Sequence, residues 1–388
     1  MKSILWILNG CGLEGRTITG GPVRFHEISR RFAGFGFRQH VLTTPGGKTL
    51  LAALGCKLPA TVVPASLLFR QEPCKPFRFW SYLVTSALWR CGLSKLPESD
   101  TVITASDYFC DIVPAVSLKR QWRTKWIACI HHCETDPTTR PGFRLSNEVT
   151  FRMQAYSFRC IARHADAAWV CGTTAGGEAT RRLLALDMPR ERIRRMKNGI
   201  DSDAIRQVPE PSAKSTDAVM VGVRPNKGLH DIIPIWERVN ALRPGTTLSL
   251  MGGMDGIGSL EEDIRSSGLP ITLYRPTGGG FLPADAYFRK LKEARILFAP
   301  SHEEGWGIAV CEAMAAGLPV VAYDLPTYWE IYANSYDPVP CFDCDAFARR
   351  VVKVLDDPEL FAELRQKGRN CAARYAWDAI ALEDGAAL

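Results

Sequence analysis

Short apolar runs recur along the chain, separated by longer segments with helical apolar spacing. SILWIL, RQHVLTT, TVITA, KWIACI and DAAWVCG predict the strands of one sheet, and residues 22–35 and 145–164 read as helices with charged faces. DAVMVGV, TLSLMGG, ITLYRP, ARILFAP and PVVAYD predict a second sheet. Such alternation of strand and helix is expected of α/β proteins, in which helices cover parallel sheets. Between the two series, VPEPSAKSTD at 208–217 is rich in Pro, Ser and charge and has no periodicity, which predicts a linker. The expected organisation is a first doubly wound domain at 1–205, a linker at 206–217, a second at 218–370, and a helix at 371–388 packing back toward the first. In doubly wound sheets ligands bind at the carboxyl ends of the strands, so the loops following the strands, on a cleft between the domains, are where chemistry is sought.

Composition agrees with two cores: 388 residues, 46% of them hydrophobic, exceed what one ordinary core requires. The opening MKSILWILNG has too few apolar residues for a secretory signal, and the thirteen cysteines show no regular spacing. A reduced, cytoplasmic protein is expected. Cys341 and Cys344 form a lone CxxC with no second ligand pair nearby, so no metal site is predicted. No run of about 18 apolar residues is present to span a bilayer. Charge is uneven. Residues 1–200 carry 29 Lys and Arg against 14 Asp and Glu, and the remainder carry 19 against 27. No nucleic-acid reader motif accompanies the basic half, so nucleic acid is excluded as a partner and an anionic membrane or phosphorylated acceptor is favoured.

The densest chemistry lies at 301–319. ARILFAP is followed by Ser301, His302, Glu303, Glu304, Gly305, Trp306 and Gly307, and then by IAVCEAMAAG. This is a strand, a glycine loop and a helix with a glycine stop. The glycines let backbone approach a ligand, and the N–H groups at the helix start favour phosphate. Glu304 lies in the loop and Glu312 about one turn into the helix, so the carboxylates can reach different parts of an extended ligand. Each can accept from a hydroxyl pair, of the kind found on sugars and riboses. In VGVRPNKGLHDI, Arg224 and Lys227 follow another strand and can neutralise phosphate.

The string PSHEEGWGIAVCEAMAAGLPVVAYD resembles the E-x7-E signature of family 4 retaining glycosyltransferases (GT4), which have the GT-B fold of two Rossmann-like domains facing a cleft. The resemblance extends over nearly the whole chain, through an early GG loop, a histidine at a strand end, NGID at 198–201, and YAWDAIA near the end. It implies that Glu312 binds the nucleotide ribose and Glu304 the donor sugar, while the backbone of Trp306, Gly307 and Ile308 binds sugar and diphosphate. Relatives place the arginine directly after the glycine. Here Val223 intervenes and the loop is one residue shorter, so Lys227 transfers more directly than Arg224. Arg275, Pro276 and Thr277 fall where relatives hold the base.

In the first domain, Gly20 and Gly21 open a helix in which Pro22 suits the first turn. By resemblance this GG loop lies near the donor phosphates and the acceptor. Arg16 and Arg24 are candidate anion or acceptor contacts, or exposed surface charges. His131 and His132 end a strand and are candidates for hydrogen bonding or proton traffic. The resemblance places one of them on the donor sugar and leaves open which. Asp107 is a candidate acceptor ligand or a helix cap. The aromatic and basic stretch at 76–92 fits either a core helix or a helix at a membrane interface.

The resemblance implies transfer with retention, moving a hexose-type sugar from a nucleotide diphosphate sugar to a hydroxyl acceptor: lipid-linked, polysaccharide or small molecule. No cofactor or metal is expected. DSD at 201–203 and DCD at 343–345 would suit a metal-dependent transferase, but neither lies in the glycine loop. A GT-B epimerase or phosphorylase, and a non-catalytic protein binding anionic surfaces, are the alternatives. The location implied is cytoplasmic, peripheral on the inner face of the membrane if 76–92 is interfacial.

Overall fold

A computed structural model of the chain describes residues 2–10, 20–64, 78–134, 136–138, 143–171, 177–252, 260–274 and 282–388. The chain divides into two compact units, residues 1–197 with 380–388, and residues 198–379.

The first unit holds seven strands, β1 (Ser3–Leu8), β2 (Arg38–Thr43), β3 (Ala60–Val62), β4 (Thr101–Thr104), β5 (Lys125–Ile130), β6 (Ala167–Cys171) and β7 (Ile193–Met196). They form a parallel sheet in the order β3-β2-β1-β4-β5-β6-β7. Every residue of β1 is buried, as a strand covered on both faces by helices requires. Leu5 and Ile7 belong to a core with Trp126, Phe158 and Ile161, whereas the Trp6 ring packs edge-on against Phe25 and its indole N–H donates to Gln39 Oε1 at 2.8 Å. The indole N–H is thereby satisfied inside the protein, which makes so large a buried side chain affordable.

The second unit holds β8 (Thr216–Val221), β9 (Leu248–Met251), β10 (Ile271–Tyr274), β11 (Ala294–Ala299), β12 (Val320–Tyr323) and β13 (Asp337–Val339), parallel in the order β10-β9-β8-β11-β12-β13. In each sheet the chain winds outward from the first strand, then returns to wind the other way. The reversal lies between β1 and β4 in the first unit and between β8 and β11 in the second. Loops leaving such neighbouring strands diverge and open a crevice at the carboxyl edge. Arg224, Lys227 and Glu304 all sit on the loops after β8 and β11.

The boundary differs from the linker expected at 206–217. Helix Ser202–Gln207 is capped by Asp201, whose carboxylate accepts from the Ala204 N–H at 3.0 Å. Beyond it Lys214 donates to the Lys292 carbonyl at 2.5 Å and Ser215 N–H to the Glu293 carbonyl at 2.9 Å. The segment lacks periodicity because it is an irregular, largely exposed loop tied at Lys214 and Ser215 to the end of helix Ala284–Lys292. The unit changes at 197/198, just before the NGID turn. A second change falls inside helix Trp377–Ala386, whose residues from Ile380 onward belong to the first unit. There Asp384 pairs with Arg24, and Lys197 binds Glu383 at 2.8 Å.

Candidate donor site

The second unit's site begins with two glycines that only a bare backbone can serve. Gly307 takes φ +84° as the cap of helix Ile308–Ala315, and a Cβ there would lie 2.8 Å from Tyr328 Cε1. Gly228 takes φ +83° after the turn at Pro225–Lys227, and its Cβ would strike the Pro300 carbonyl oxygen. Side chains at either position would force the loops apart. The loops are also joined through backbone: Asn226 carbonyl accepts from His302 N–H at 3.0 Å and from Glu303 N–H at 3.3 Å.

Across this junction Lys227 Nζ forms an ion pair with Glu304 Oε1. Both side chains are mostly buried, with 15% and 10% of their surfaces exposed, so the pair is shielded from solvent. Glu304 Oε1 also accepts from Tyr328 OH at 3.3 Å and Ser301 Oγ at 3.4 Å. The loop backbone is fixed by hydroxyls: Thr327 donates to the Glu304 carbonyl at 3.0 Å, and Tyr332 to the carbonyls of Trp306 at 3.0 Å and Gly307 at 2.8 Å. The Gly307 carbonyl also accepts from Val310 N–H at 2.9 Å and Cys311 N–H at 3.2 Å, which leaves the Ile308 and Ala309 amides to open helix Ile308–Ala315 at its positive dipole end. The Trp306 indole is buried edge-on against Tyr332 and Tyr375 and serves packing.

Arg224 lies beside Gly222, which holds φ +77°. Its Nε is buried and has no partner among the described residues. Glu312, four residues into the helix, accepts from Tyr287 OH at 2.7 Å. Burial first, and then the Glu312 charge, raise the Tyr287 pKa well above its ordinary value, so the phenol stays a donor. Tyr287 comes from helix Ala284–Lys292, and nothing in its spacing to Glu312 singles it out. His302 is held on the far side of the same loop, its Nε2 2.7 Å from Asp231 Oδ2, which also accepts from Tyr323 OH at 2.8 Å. The first aspartates of DSD and DCD are helix caps, Asp201 as above and Asp343 for helix Cys344–Asp356, accepting from Ala346 N–H at 2.8 Å, while Asp203 and Asp345 pair with Arg206 and Arg238. Among the described residues no group of three His, Cys, Asp or Glu could hold a metal.

In the first unit, Gly20 and Gly21 begin helix Gly20–Gly34, two residues earlier than Pro22 suggests. Arg24 is not an anion contact. It is 2% exposed, paired with Asp384 and donating Nε–H to the Lys197 carbonyl at 3.1 Å, because its position faces the sheet side of the helix. Asp107 is likewise buried rather than presented to an acceptor: it accepts from Gln154 Nε2 at 2.8 Å and from the His131 backbone N–H. It does not cap the following helix Phe109–Trp122, whose capping position is Tyr108. Burial pushes its pKa up to about 6. His131 is half-buried and its Nε2–H donates to the Ala105 carbonyl at 2.8 Å, which leaves Nδ1 as the acceptor of a neutral ring. Burial lowers its pKa to about 4, so it is neutral at pH 7. His132 is half-buried beside it.

Sequence reading overlooked Asp111. Its Oδ1 accepts from the N–H groups of Asn9 at 2.7 Å and Gly10 at 3.0 Å, and its Oδ2 from Ser106. The loop after β1 is thus tied to the loop after β4 at the first sheet's reversal. Burial raises the Asp111 pKa to about 7. In 76–92, helix Arg78–Leu88 buries Phe79 and Tyr82, and Tyr82 stacks on Tyr108 at 5.4 Å, whereas Trp80 and Leu83 are exposed. Arg16, the base-site candidates Arg275, Pro276 and Thr277, and the start of 76–92 lie outside the described residues.

Two doubly wound parallel sheets, one in each unit, are the arrangement of the GT-B fold. The fold is shared with sucrose-phosphate synthase from Thermosynechococcus elongatus, at a TM-score of 0.76 and 17% identity, covering 99% of this chain and 98% of that one. It is shared also with Anabaena HepE, solved in complex with UDP-glucose, at a TM-score of 0.72 and 15% identity over the whole of both chains. Residues 201–371 match the family Glycosyl transferases group 1, so that stretch carries the family's domain. Glycogen synthase of Mycobacterium tuberculosis is 26% identical over 321 residues, 78% of this chain and 73% of the relative.

Proposed function

We propose that the chain is a retaining transferase that moves a hexose-type sugar from a nucleoside diphosphate sugar to a hydroxyl acceptor, in glycan, polysaccharide or glycolipid synthesis. The observation that carries this reading is the Lys227–Glu304 pair beside the amide-lined start of helix Ile308–Ala315. Lys227, Arg224 and the first-turn amides are suited to a diphosphate, Glu304 to the hydroxyls of the sugar attached to it, and Glu312 to the ribose. The acceptor oxygen forms its bond to the anomeric carbon on the face from which the diphosphate departs. The anomeric C–O bond breaks with its electron pair on the leaving phosphate, which takes the acceptor proton. Stabilising that departing charge is the main task, and it falls to the two cations and the amides. His131, held neutral, contributes Nδ1 as an acceptor or His132 takes that part. No metal or cofactor is needed.

A thermal-shift panel of UDP-, GDP- and ADP-sugars tests the donor, since a ligand specific to the native state raises its melting temperature. UDP-glucose is the first to try, in view of the HepE complex. One sugar nucleotide is expected to stabilise the protein, and Glu312→Ala to abolish the shift; no shift with any of the three would refute the reading. Transfer to an acceptor with inversion, read from the product's anomeric configuration, would refute retention alone, and loss of transfer in EDTA would refute metal independence. Trp80 and Leu83, exposed one turn apart on a helix in the basic half of the chain, support peripheral contact with anionic membrane. Flotation with anionic liposomes at low salt is the test, and protein left unbound would refute it.

A further inference from the structure

Glu312 does not stand alone on its helix. A phenol from a different helix, Ala284–Lys292, reaches it, and Tyr287 OH lies 2.7 Å from Glu312 Oε2. We propose that Tyr287 is a positioning residue for the donor nucleotide: by holding Glu312 in one rotamer, it makes the carboxylate able to tell a ribonucleotide from a deoxyribonucleotide. This rests on the reading of Glu312 as the ribose ligand.

The argument is one of freedom and charge. A glutamate in a helix has three side-chain torsions, and ordering them costs conformational entropy whenever a ligand must be met in one geometry. A fixed neighbour that donates to one carboxylate oxygen removes most of that cost before the ligand arrives. Tyrosine suits the task because it has two torsions and a hydroxyl at the end of a rigid ring. Tyr287 is itself wedged edge-on against Phe288, with ring centroids 5.1 Å apart. Phe288 is in turn buried, so the phenol is anchored from behind. Burial and the nearby negative charge both keep the hydroxyl protonated, so the bond runs from phenol to carboxylate. A lysine or arginine in this place would hold Glu312 equally well but would neutralise it. The tyrosine orients the carboxylate and leaves it an anion, with its strength as an acceptor for sugar hydroxyls intact.

A hydroxyl bound by a correctly placed charged acceptor contributes to discrimination only if the acceptor cannot swing away when the hydroxyl is missing. The consequence is a selectivity readout. Wild-type protein is expected to bind UDP, GDP or ADP, whichever matches its base site, about tenfold more tightly than the 2′-deoxy counterpart, as loss of one hydrogen bond to a charged group predicts. Tyr287→Phe keeps the ring and its packing and removes only the donor. Titration calorimetry with the three nucleoside diphosphates and their 2′-deoxy forms is expected to show the ratio falling to about twofold or less in this variant, as affinity for the ribonucleotide drops and that for the deoxynucleotide hardly changes. In Glu312→Ala the ratio is also expected to vanish, and adding Tyr287→Phe to it should change nothing further.

Equal weakening of both nucleotides in Tyr287→Phe would assign the tyrosine to packing and overturn the proposal. Unchanged affinities would overturn it too, and tighter ribonucleotide binding would show that the phenol competes with the ribose for Glu312. A wild type that binds nucleoside diphosphates without preferring ribose overturns the role given to Glu312, and one that binds none of the three overturns the donor-site reading itself. The apo melting temperature of Tyr287→Phe checks folding. If it falls sharply, 4-aminophenylalanine in place of Tyr287, which keeps the ring and a neutral donor at its para position, replaces that variant and must retain the ribose preference for the proposal to stand.

Discussion

Lys227 Nζ rests on Glu304 Oε1, so the cation that follows β8 and the carboxylate that follows β11 form one ion pair. Seventy-seven residues separate them in the chain. Their meeting joins the two loops of the sheet reversal through one mostly buried pair.

Removing one partner strands the other. Lys227→Ala leaves Glu304 mostly buried with its charge uncompensated, a change that costs about 3–5 kcal/mol in buried pairs. The melting temperature is expected to fall and transfer to drop by about a hundredfold or more, as for loss of a charge-stabilising group. Lys227→Met with Glu304→Gln should recover most of the melting temperature and none of the transfer. A double variant no more stable than the single one would show that the pair is not the source of the loss.

Gly307→Ala tests the donor loop's backbone. The residue holds φ +84°, and its added Cβ would sit 2.8 Å from Tyr328 Cε1. Left-handed strain contributes about 1–3 kcal/mol, and displacement of Tyr328 disturbs Glu304 as well. Lower stability together with weakened nucleotide binding is expected from thermal melts with and without ligand. A variant that melts and binds like wild type would mean the loop relaxes freely.

The pH dependence of the first unit follows from Asp111, whose pKa is raised to about 7 by burial. A carboxylate with a raised folded pKa binds more protons folded than unfolded, so its contribution is fully present below about pH 4, the unfolded value, and is lost as pH rises through about 7. Asp107, raised to about 6, acts in the same sense over a narrower window. His131, lowered to about 4, acts oppositely: its contribution is lost as pH falls from about 6.5 through 4. Whole-protein melts therefore mix opposing slopes, and a variant isolates one. Asp111→Asn cannot ionise, so its melting temperature relative to wild type should fall steadily as pH is lowered from 8 to 5. Parallel curves over that range would contradict the Asp111 assignment.

Arg24 and Asp384 are almost wholly buried, with 3% and 6% of their side chains exposed. Arg24→Ala is expected to destabilise the first unit by about 3–5 kcal/mol and to loosen the end of the chain. Limited proteolysis should then release a fragment cut near residue 380. Arg24→Met with Asp384→Leu, which replaces the pair by apolar side chains, should restore protection. If Arg24→Ala is as resistant as wild type, the clasp is not what holds that helix end.

Local pattern carried much of this architecture. The ten sequence runs named from apolar periodicity all contain strands of the two sheets, since a strand buried on both faces must be apolar along its length. The glycine loop between ARILFAP and the next helix was equally legible, because Gly307 answers a backbone demand that no other residue meets. What pattern cannot express is which side chains meet across elements. β3, β7 and β13 were overlooked, being short or interrupted by charge and proline, as in IRRM and DPV. Arg24 read as an anion or acceptor contact or a surface charge, since its counter-ion lies 360 positions away, and the break between units was sought in an exposed polar loop tied to the end of helix Ala284–Lys292. Asp111 and Tyr287 are ordinary residues in sequence, and their importance arises only when the sheet reversal brings Asn9 and Gly10 to one and Glu312 to the other.

Legible in the chain alone were the two α/β sheets, Lys227 and Glu304 on the loops after strands and Glu312 on the helix that follows, because strand burial and backbone freedom are local requirements. Which charges hold the fold, as those of Arg24 and Asp107 do, and which face each other, as those of Lys227 and Glu304 do, follows from the folded arrangement. Charge interactions depend on distance and burial in three dimensions, and neither quantity is a property of spacing along the chain.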